Sequence, residues 1–231
     1  MSPLLRNSPL PTPVLSYVTD RHLLPGAPEA VRQELLNKIE AAAEAGVDWI
    51  QIREKDLSGK DCAQITRDSL QRAAKSAANR ATPARILVND RLDVALAVSA
   101  GGVHLSERAL PIPEARRLVN SSSASGDFLV GKSCHSLEAA KTAEQSGADY
   151  IHFGPIFATP SKAAFGAPQG LERLAEVCRE VSVPVIAIGG ITLENFSACL
   201  AAGASGIAAI RLFQDAADIA AVVSSLRKLT S

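Results

Sequence analysis

Eight times along its length the chain alternates a short run of apolar, largely β-branched residues with a longer Ala-rich amphipathic stretch. The short runs predict strands at 14–19, 47–52, 84–89, 102–105, 128–131, 149–154, 183–190 and 206–210. The stretches that follow them predict helices near 28–45, 59–80, 92–99, 113–119, 136–146, 170–181, 193–202 and 216–228. The strand runs are continuous in Val and Ile rather than alternating with polar residues, the pattern of a strand covered on both faces. A parallel sheet wrapped by helices buries its strands in that way. Four segments, EAGVDWIQI, SAGGVHL, QSGADYIHF and AAGASGIAAI, repeat one local plan in which a helix ends on Gly and a strand restarts a few residues later. Glycine accepts the left-handed conformation of a helix C-cap at little cost.

Eight βα units in 231 residues match the size of one closed barrel. The prediction is a single-domain α/β fold, a (β/α)8 TIM barrel over 14–231, with an open doubly wound sheet as the alternative. Residues 1–13 are rich in Pro, Leu and Ser, lack the long apolar core of a signal peptide, and predict a flexible N-terminal arm. An apolar arm of this kind keeps a homodimer among the candidate assemblies.

Charge narrows the partners. Lys+Arg and Asp+Glu are both 24, for a formal net charge of zero, so no bulk attraction to nucleic acid or to an anionic membrane is expected. No run is long and apolar enough for a membrane span. Four cysteines, Cys62, Cys134, Cys178 and Cys199, contain no CxxC pair, which argues against a zinc site or a disulfide framework and suits a reducing cytoplasm.

In a barrel the loops after the strands carry the chemistry. Those positions hold Gln51, Arg53, Glu54 and Lys55, then Asn89 and Asp90, then His104, Ser106 and Glu107. Farther along they hold Ser133 and His135, then Thr159, Ser161 and Lys162, then Gly189 and Gly190, and last Arg211. The cations Arg53, Lys55 and Lys162, several hydroxyls and the lone Asp90 make a composition suited to a phosphate or diphosphate held with Mg2+. A single REK triplet would read as solvated loop charge; hydroxyls and cations gathered at one end of five strands read as a pocket. Two glycines at a strand end let backbone approach a ligand, and a helix predicted to begin near Leu193 would aim its N–H groups at an anion. Among the histidines, His135 is best placed to exchange protons with a ligand.

Taken in order, YVTDR, QIREKD, VNDRLDVALAVSAGGVHL, GKSCHS, GADYIHFGPIFATPSK, VPVIAIGGIT and GASGIAAI resemble the thiamine phosphate synthases and their TenI-like thiazole tautomerase relatives. The resemblance runs from about Tyr17 to Phe213. It implies a synthase that joins hydroxymethylpyrimidine diphosphate to a thiazole phosphate and releases pyrophosphate. It implies that Arg53, Lys55, Asn89 and Lys162 meet the diphosphate with Ser133 close by, and that Gln51 is a ligand position. Asp90 would hold Mg2+, while Thr159, Ser161, Gly189 and Gly190 would hold the thiazole phosphate. Two positions depart from the family pattern. Ala109 stands where synthases carry a second acidic metal ligand, which leaves Glu107, two residues earlier, as the candidate second ligand. Arg211 replaces a small hydroxyl residue and would add a cation to the phosphate site or occlude part of it. The missing carboxylate is shared with the tautomerase branch, in which His135 would be the acid/base. A thiazole tautomerase and a non-catalytic thiamine-precursor binding protein are therefore the alternatives.

Overall fold

The computed structural model describes residues 13–76, 83–122, 124, 126–159 and 167–230. The arm expected over 1–13 lies outside these, apart from Pro13. Eight parallel strands close into a barrel in sequence order: β1 Val14–Val18, β2 Trp49–Ile52, β3 Arg85–Asn89, β4 Gly102–Leu105, β5 Leu129–Cys134, β6 Tyr150–Phe153, β7 Val185–Ile188 and β8 Gly206–Ala209. β8 pairs back onto β1 through Val14↔Gly206 to Tyr17↔Ala209, which closes the sheet and removes the open doubly wound alternative.

The helices are α1 Pro28–Ala45, α2 Gly59–Ser76, α3 Leu92–Ala97, α4 Ile112–Asn120, α5 Leu137–Gln145, α6 Gly170–Glu180, α7 Phe196–Ala201, α8 Arg211–Gln214 and α9 Ile219–Lys228. A 3-10 turn at Arg21–Leu23 precedes α1. No helix among the described residues is long and apolar enough to cross a membrane.

Continuous apolar strands are explained by two cores. Val14, Val18, Trp49, Leu87, Leu129, Tyr150, Ile186 and Ala208 form one cluster, inside the barrel. Leu15, Tyr17, Ile50, Ile52, Ile86 and Val88 belong to a second cluster with helix residues such as Leu35, Ile39 and Ile65. Successive strand residues face opposite ways, so both sides must be apolar. Tyr150 fills the interior against Trp49, with ring centroids 4.6 Å apart. Its room comes from Gly131, where a Cβ would lie 2.1 Å from the Tyr150 ring.

The helix-to-strand repeat holds with one variation. Gly46 caps α1 at φ 105, its N–H donating to the Ala42 and Ala43 carbonyls. In SAGGVHL the left-handed residue is Ser99, at φ 54. The glycines there serve packing instead: a Cβ on Gly102 would lie 2.4 Å from the Leu129 carbonyl oxygen.

Boundaries differ in three places that matter for the site. β5 runs three residues past its expected end and carries Lys132 and Ser133 within the strand. The helix after β7 begins at Phe196, not near Leu193. The last helical stretch is split, with short α8 starting at Arg211 before α9.

Candidate active site

Parallel closure brings the ends of all eight strands to one rim, where residues following β2, β3 and β4 join through hydrogen bonds. On the β1–β2 side the organiser is Glu54, whose side chain is fully buried. It accepts from the Thr19 hydroxyl at 2.6 Å, from the Arg21 N–H at 3.1 Å and from the Arg21 guanidinium at 3.1 Å. Arg21 also pairs with Asp56, which holds the Asp56 carboxyl well below the usual carboxylate range. Thr19 in turn accepts the Arg53 backbone N–H at 2.9 Å. The Arg53 guanidinium reaches Asp20 at 3.8 Å and remains partly exposed, while Lys55 is exposed on the same loop. Two cations are thus presented by a loop whose backbone is pinned from beneath.

The β2–β4 rim is a hydrogen-bonded line. Gln51, buried, donates from Nε2 to Asn89 Oδ1 at 2.8 Å, and Asn89 donates from Nδ2 to Asp90 Oδ2 at 2.9 Å. Gln51 Oε1 is buried with no partner, an acceptor the protein itself leaves unmet. Asp90 sits at φ 59, a left-handed conformation that Asp tolerates. Its backbone N–H bonds the His104 carbonyl at 2.9 Å, and its carboxylate accepts from the Ser106 N–H at 2.6 Å and the Ser106 hydroxyl at 2.9 Å. Among the described residues no cation pairs with it; neutral donors hold its direction.

Below this line lies an interior histidine pair. His104 and His152 stack with centroids 4.0 Å apart. His104 Nε2 is 2.9 Å from Ser133 Oγ. Burial first, then His152, Lys132 and Arg53, push His104 well below the ordinary histidine range, and burial takes His152 down to about 3. Both rings are neutral at physiological pH. His135 hydrogen-bonds the Gly154 carbonyl through Nδ1. A carbonyl only accepts, so Nδ1 carries the proton and a neutral ring keeps its Nε2 lone pair.

On the β6–β8 side the contribution is backbone. Gly189 and Gly190 have φ 98 and 67. A Cβ on Gly190 would meet the Ala158 carbonyl at 2.7 Å and Phe157 at 2.8 Å, because the loop after β6 lies against this turn. The Phe157 N–H donates to the Gly189 carbonyl at 3.0 Å, and Asn195 Nδ2 donates to the Gly190 carbonyl at 2.9 Å. α7 starts six residues after Gly190 and has only six residues itself, so the expected helix terminus does not abut the glycines.

The remaining expected positions are placed as follows. Arg211 opens α8 just after β8, is exposed and pairs with Asp215 at 3.2 Å. Glu107 is exposed, and its backbone carbonyl accepts from Lys132 at 3.3 Å. No group of three or more His, Cys, Asp or Glu that could hold a metal occurs among the described residues. Ser161 and Lys162 lie outside the described residues; Thr159 is half-buried at the edge of them.

The chain is similar to known proteins in sequence and in fold. A family model described as thiamine monophosphate synthase matches residues 16–213. The chain belongs to that family. The thiamine-phosphate synthase of Syntrophomonas wolfei is 37% identical over 215 residues, 93% of this chain and 95% of that protein. That of Chlorobium phaeobacteroides is 44% identical over 177 residues, 77% of this chain and 81% of that protein. A solved structure of thiamine phosphate pyrophosphorylase from Pyrococcus furiosus is 33% identical, covers 94% of this chain and 95% of its own, and superposes with a TM-score of 0.77.

Lys132 was missed from the sequence. Its Nζ donates to the Ser106 carbonyl at 2.9 Å, bracing the loop that holds Asp90. The signal was its place one residue before Ser133, hidden because strand 5 had been ended too early. Gln214 was missed as well. It accepts from Tyr17 at 3.0 Å and from the Asp20 N–H at 3.0 Å, tying β1 to α8.

Proposed function

We propose that the chain is a thiamine-phosphate synthase, a transferase that joins hydroxymethylpyrimidine diphosphate to a thiazole phosphate and releases pyrophosphate. The observation that carries the reading is the rim itself: Gln51, Asn89 and Asp90 in one hydrogen-bonded line beside Arg53 and Lys55. It occurs in a chain covering at least three quarters of relatives that bear that name.

The residues present suit Mg2+. The ion commonly takes one or two carboxylates and completes its shell with substrate phosphates and water, and Asp90 offers one carboxylate with its orientation already set. A bound Mg2+ would supply Lewis-acid stabilisation of the departing diphosphate. Arg53 and Lys55 place positive charge where that diphosphate gathers negative charge, which lowers the barrier to its departure. Gln51 Oε1, unmet inside the protein, suits an amino donor on the pyrimidine. The Gly189–Gly190 turn, packed beneath the loop after β6, would hold the thiazole phosphate, and binding both substrates on one rim sets the thiazole nitrogen at the reacting carbon. Lys162 and Ser161 complete the reading from sequence alone. Four free cysteines suit the cytoplasm, and a homodimer is part of the proposal through the N-terminal arm.

The test is thiamine phosphate formation from the two substrates with and without Mg2+. Mg2+-dependent product is the expected result. A folded protein that binds the thiazole phosphate yet forms no product would move the reading to the tautomerase, with the Nε2 of His135 as its base.

A further inference from the structure

Three polar side chains descend from the rim into the barrel. Ser133 is half-buried, His104 is buried and Tyr150 is fully buried. Ser133 Oγ lies 2.9 Å from His104 Nε2, and Tyr150 Oη lies 3.1 Å from His104 Nδ1. Each hydroxyl can donate or accept, so the distances admit two proton arrangements. In one, the Tyr150 hydroxyl donates to Nδ1 and Nε2–H donates to Ser133. In the other, Nδ1–H donates to Tyr150 and the Ser133 hydroxyl donates to Nε2.

The surroundings choose between them. The Tyr150 ring is packed against Trp49, 4.6 Å away, and His152, 5.3 Å away, over Gly131. Its hydroxyl has no hydrogen-bond partner other than His104 among the described residues. The second arrangement would strand a phenolic O–H in a dry apolar interior, where an unmet donor carries its full desolvation penalty. In the first arrangement the Tyr150 hydroxyl proton and the His104 N–H each have an acceptor. The ring is neutral in either case: it stacks on a second histidine, and no carboxylate contacts it.

We propose that His104 is a positioning residue, held by Tyr150 as the Nε2–H tautomer, which turns the Ser133 hydroxyl proton outward and makes Ser133 a fixed hydrogen-bond donor to the substrate. Ser133 Oγ already accepts from Nε2–H, so its own proton has one place to go, the pocket. Two consequences follow from the proton count. His104 has no free lone pair at Nε2, so Ser133 and His104 do not form a nucleophile–base pair. The site also selects for an acceptor, such as an anionic phosphate oxygen, at the position Ser133 faces. This deepens the synthase reading and rests on it only for the identity of the substrate.

The first arm of the test needs no substrate. Long-range 1H–15N correlation spectra of the full chain at neutral pH should show His104 Nδ1 as the unprotonated nitrogen and Nε2 as the protonated one. The reverse assignment, or a charged ring, would overturn the proposal. The second arm is a double-mutant cycle in kcat/KM for thiamine phosphate formation, using His104→Phe and Ser133→Ala. Each single change should cost about tenfold or more, and the double variant should be no slower than Ser133→Ala, because His104 acts through Ser133. Losses that multiply would overturn it. His104→Gln, whose amide nitrogen can stand near the Nε2 position, should recover most of the loss, and no recovery counts against the proposal. A protein that shows the expected tautomer but makes no thiamine phosphate would refute the synthase reading while leaving the tautomer assignment intact.

Discussion

The two ends of this barrel use carboxylates in opposite ways. At the N-terminal end, Asp48 and Asp149 occupy matching places just before β2 and β6, in the related segments GVDWI and GADYI. Asp48 accepts the Leu15 N–H at 2.8 Å and pairs with Arg227 at 2.6 Å. Asp149 accepts the Val130 N–H at 2.7 Å and pairs with Arg116 at 2.6 Å. Each ties one strand to its neighbour and to a helix or its flank, and each is neutralised by an arginine. At the C-terminal end Asp90 is bound as firmly, but by two N–H groups and a hydroxyl, all neutral. Equal rigidity is reached without spending the charge. A carboxylate that must meet a cation from outside cannot already be paired with one, and the cations of the rim, Arg53 and Lys55, sit on a different loop.

That contrast can be broken experimentally. The largest effect is expected from Asp90→Asn. Mg2+-dependent turnover should fall by about 10²- to 10³-fold with little change in Tm, since the amide oxygen can still accept the Ser106 N–H and the amide NH2 can donate to the Ser106 hydroxyl. Asp48→Asn should do the reverse. It removes a half-buried ion pair and should cost about 1–2 kcal/mol in urea denaturation, while kcat of the folded protein stays within about twofold. An Asp48 variant that loses activity while remaining folded would erase the distinction between the two ends.

Acid titration sharpens the picture from the interior. His152 is pushed down to about 3 and His104 well below its ordinary value, so the unfolded chain binds more protons than the folded one as pH drops below about 6.5. Stability contributed by the neutral rings is present above that value and is lost as pH falls toward the folded pKa. Between about pH 7.5 and 5.5 the two rings together should cost roughly 2–3 kcal/mol. Chemical denaturation of His152→Phe beside the parent would detect this as a flatter pH dependence in the variant. The smallest effect is expected at Arg211. It pairs with Asp215 in a short exposed helix, and Arg211→Ala should change KM for the thiazole phosphate by less than about threefold. A larger change would return this residue to the site.

Much of the site was legible because barrel topology turns sequence position into spatial position. Once the strands were placed, Gln51, Asn89 and Asp90 had to share a rim, and they do. The errors came where local sequence is ambiguous about where a strand stops. GKSCHS could end or continue β5, and only its pairing with β6, Ser133↔His152 and Cys134↔Phe153, extends it. That extension puts Ser133 against His104 and leaves Lys132 to brace the β4 loop. Arg211 and Glu107 carry a related ambiguity. Both stand at the right chain position, but a long side chain can face rim or solvent, and its direction depends on neighbours that are remote in sequence.

The order of strands, the two-faced burial and the residues available to the rim follow from sequence alone. Hydrophobic period and turn chemistry are local, and parallel closure has few alternatives for eight such units. The tertiary structure decided which polar atoms are satisfied. Whether Asp90 meets a serine or an arginine, whether Gln51 keeps an unmet oxygen, and which nitrogen of His104 holds the proton depend on contacts across strands. Those contacts differ by an ångström or a rotamer, and no periodicity records them.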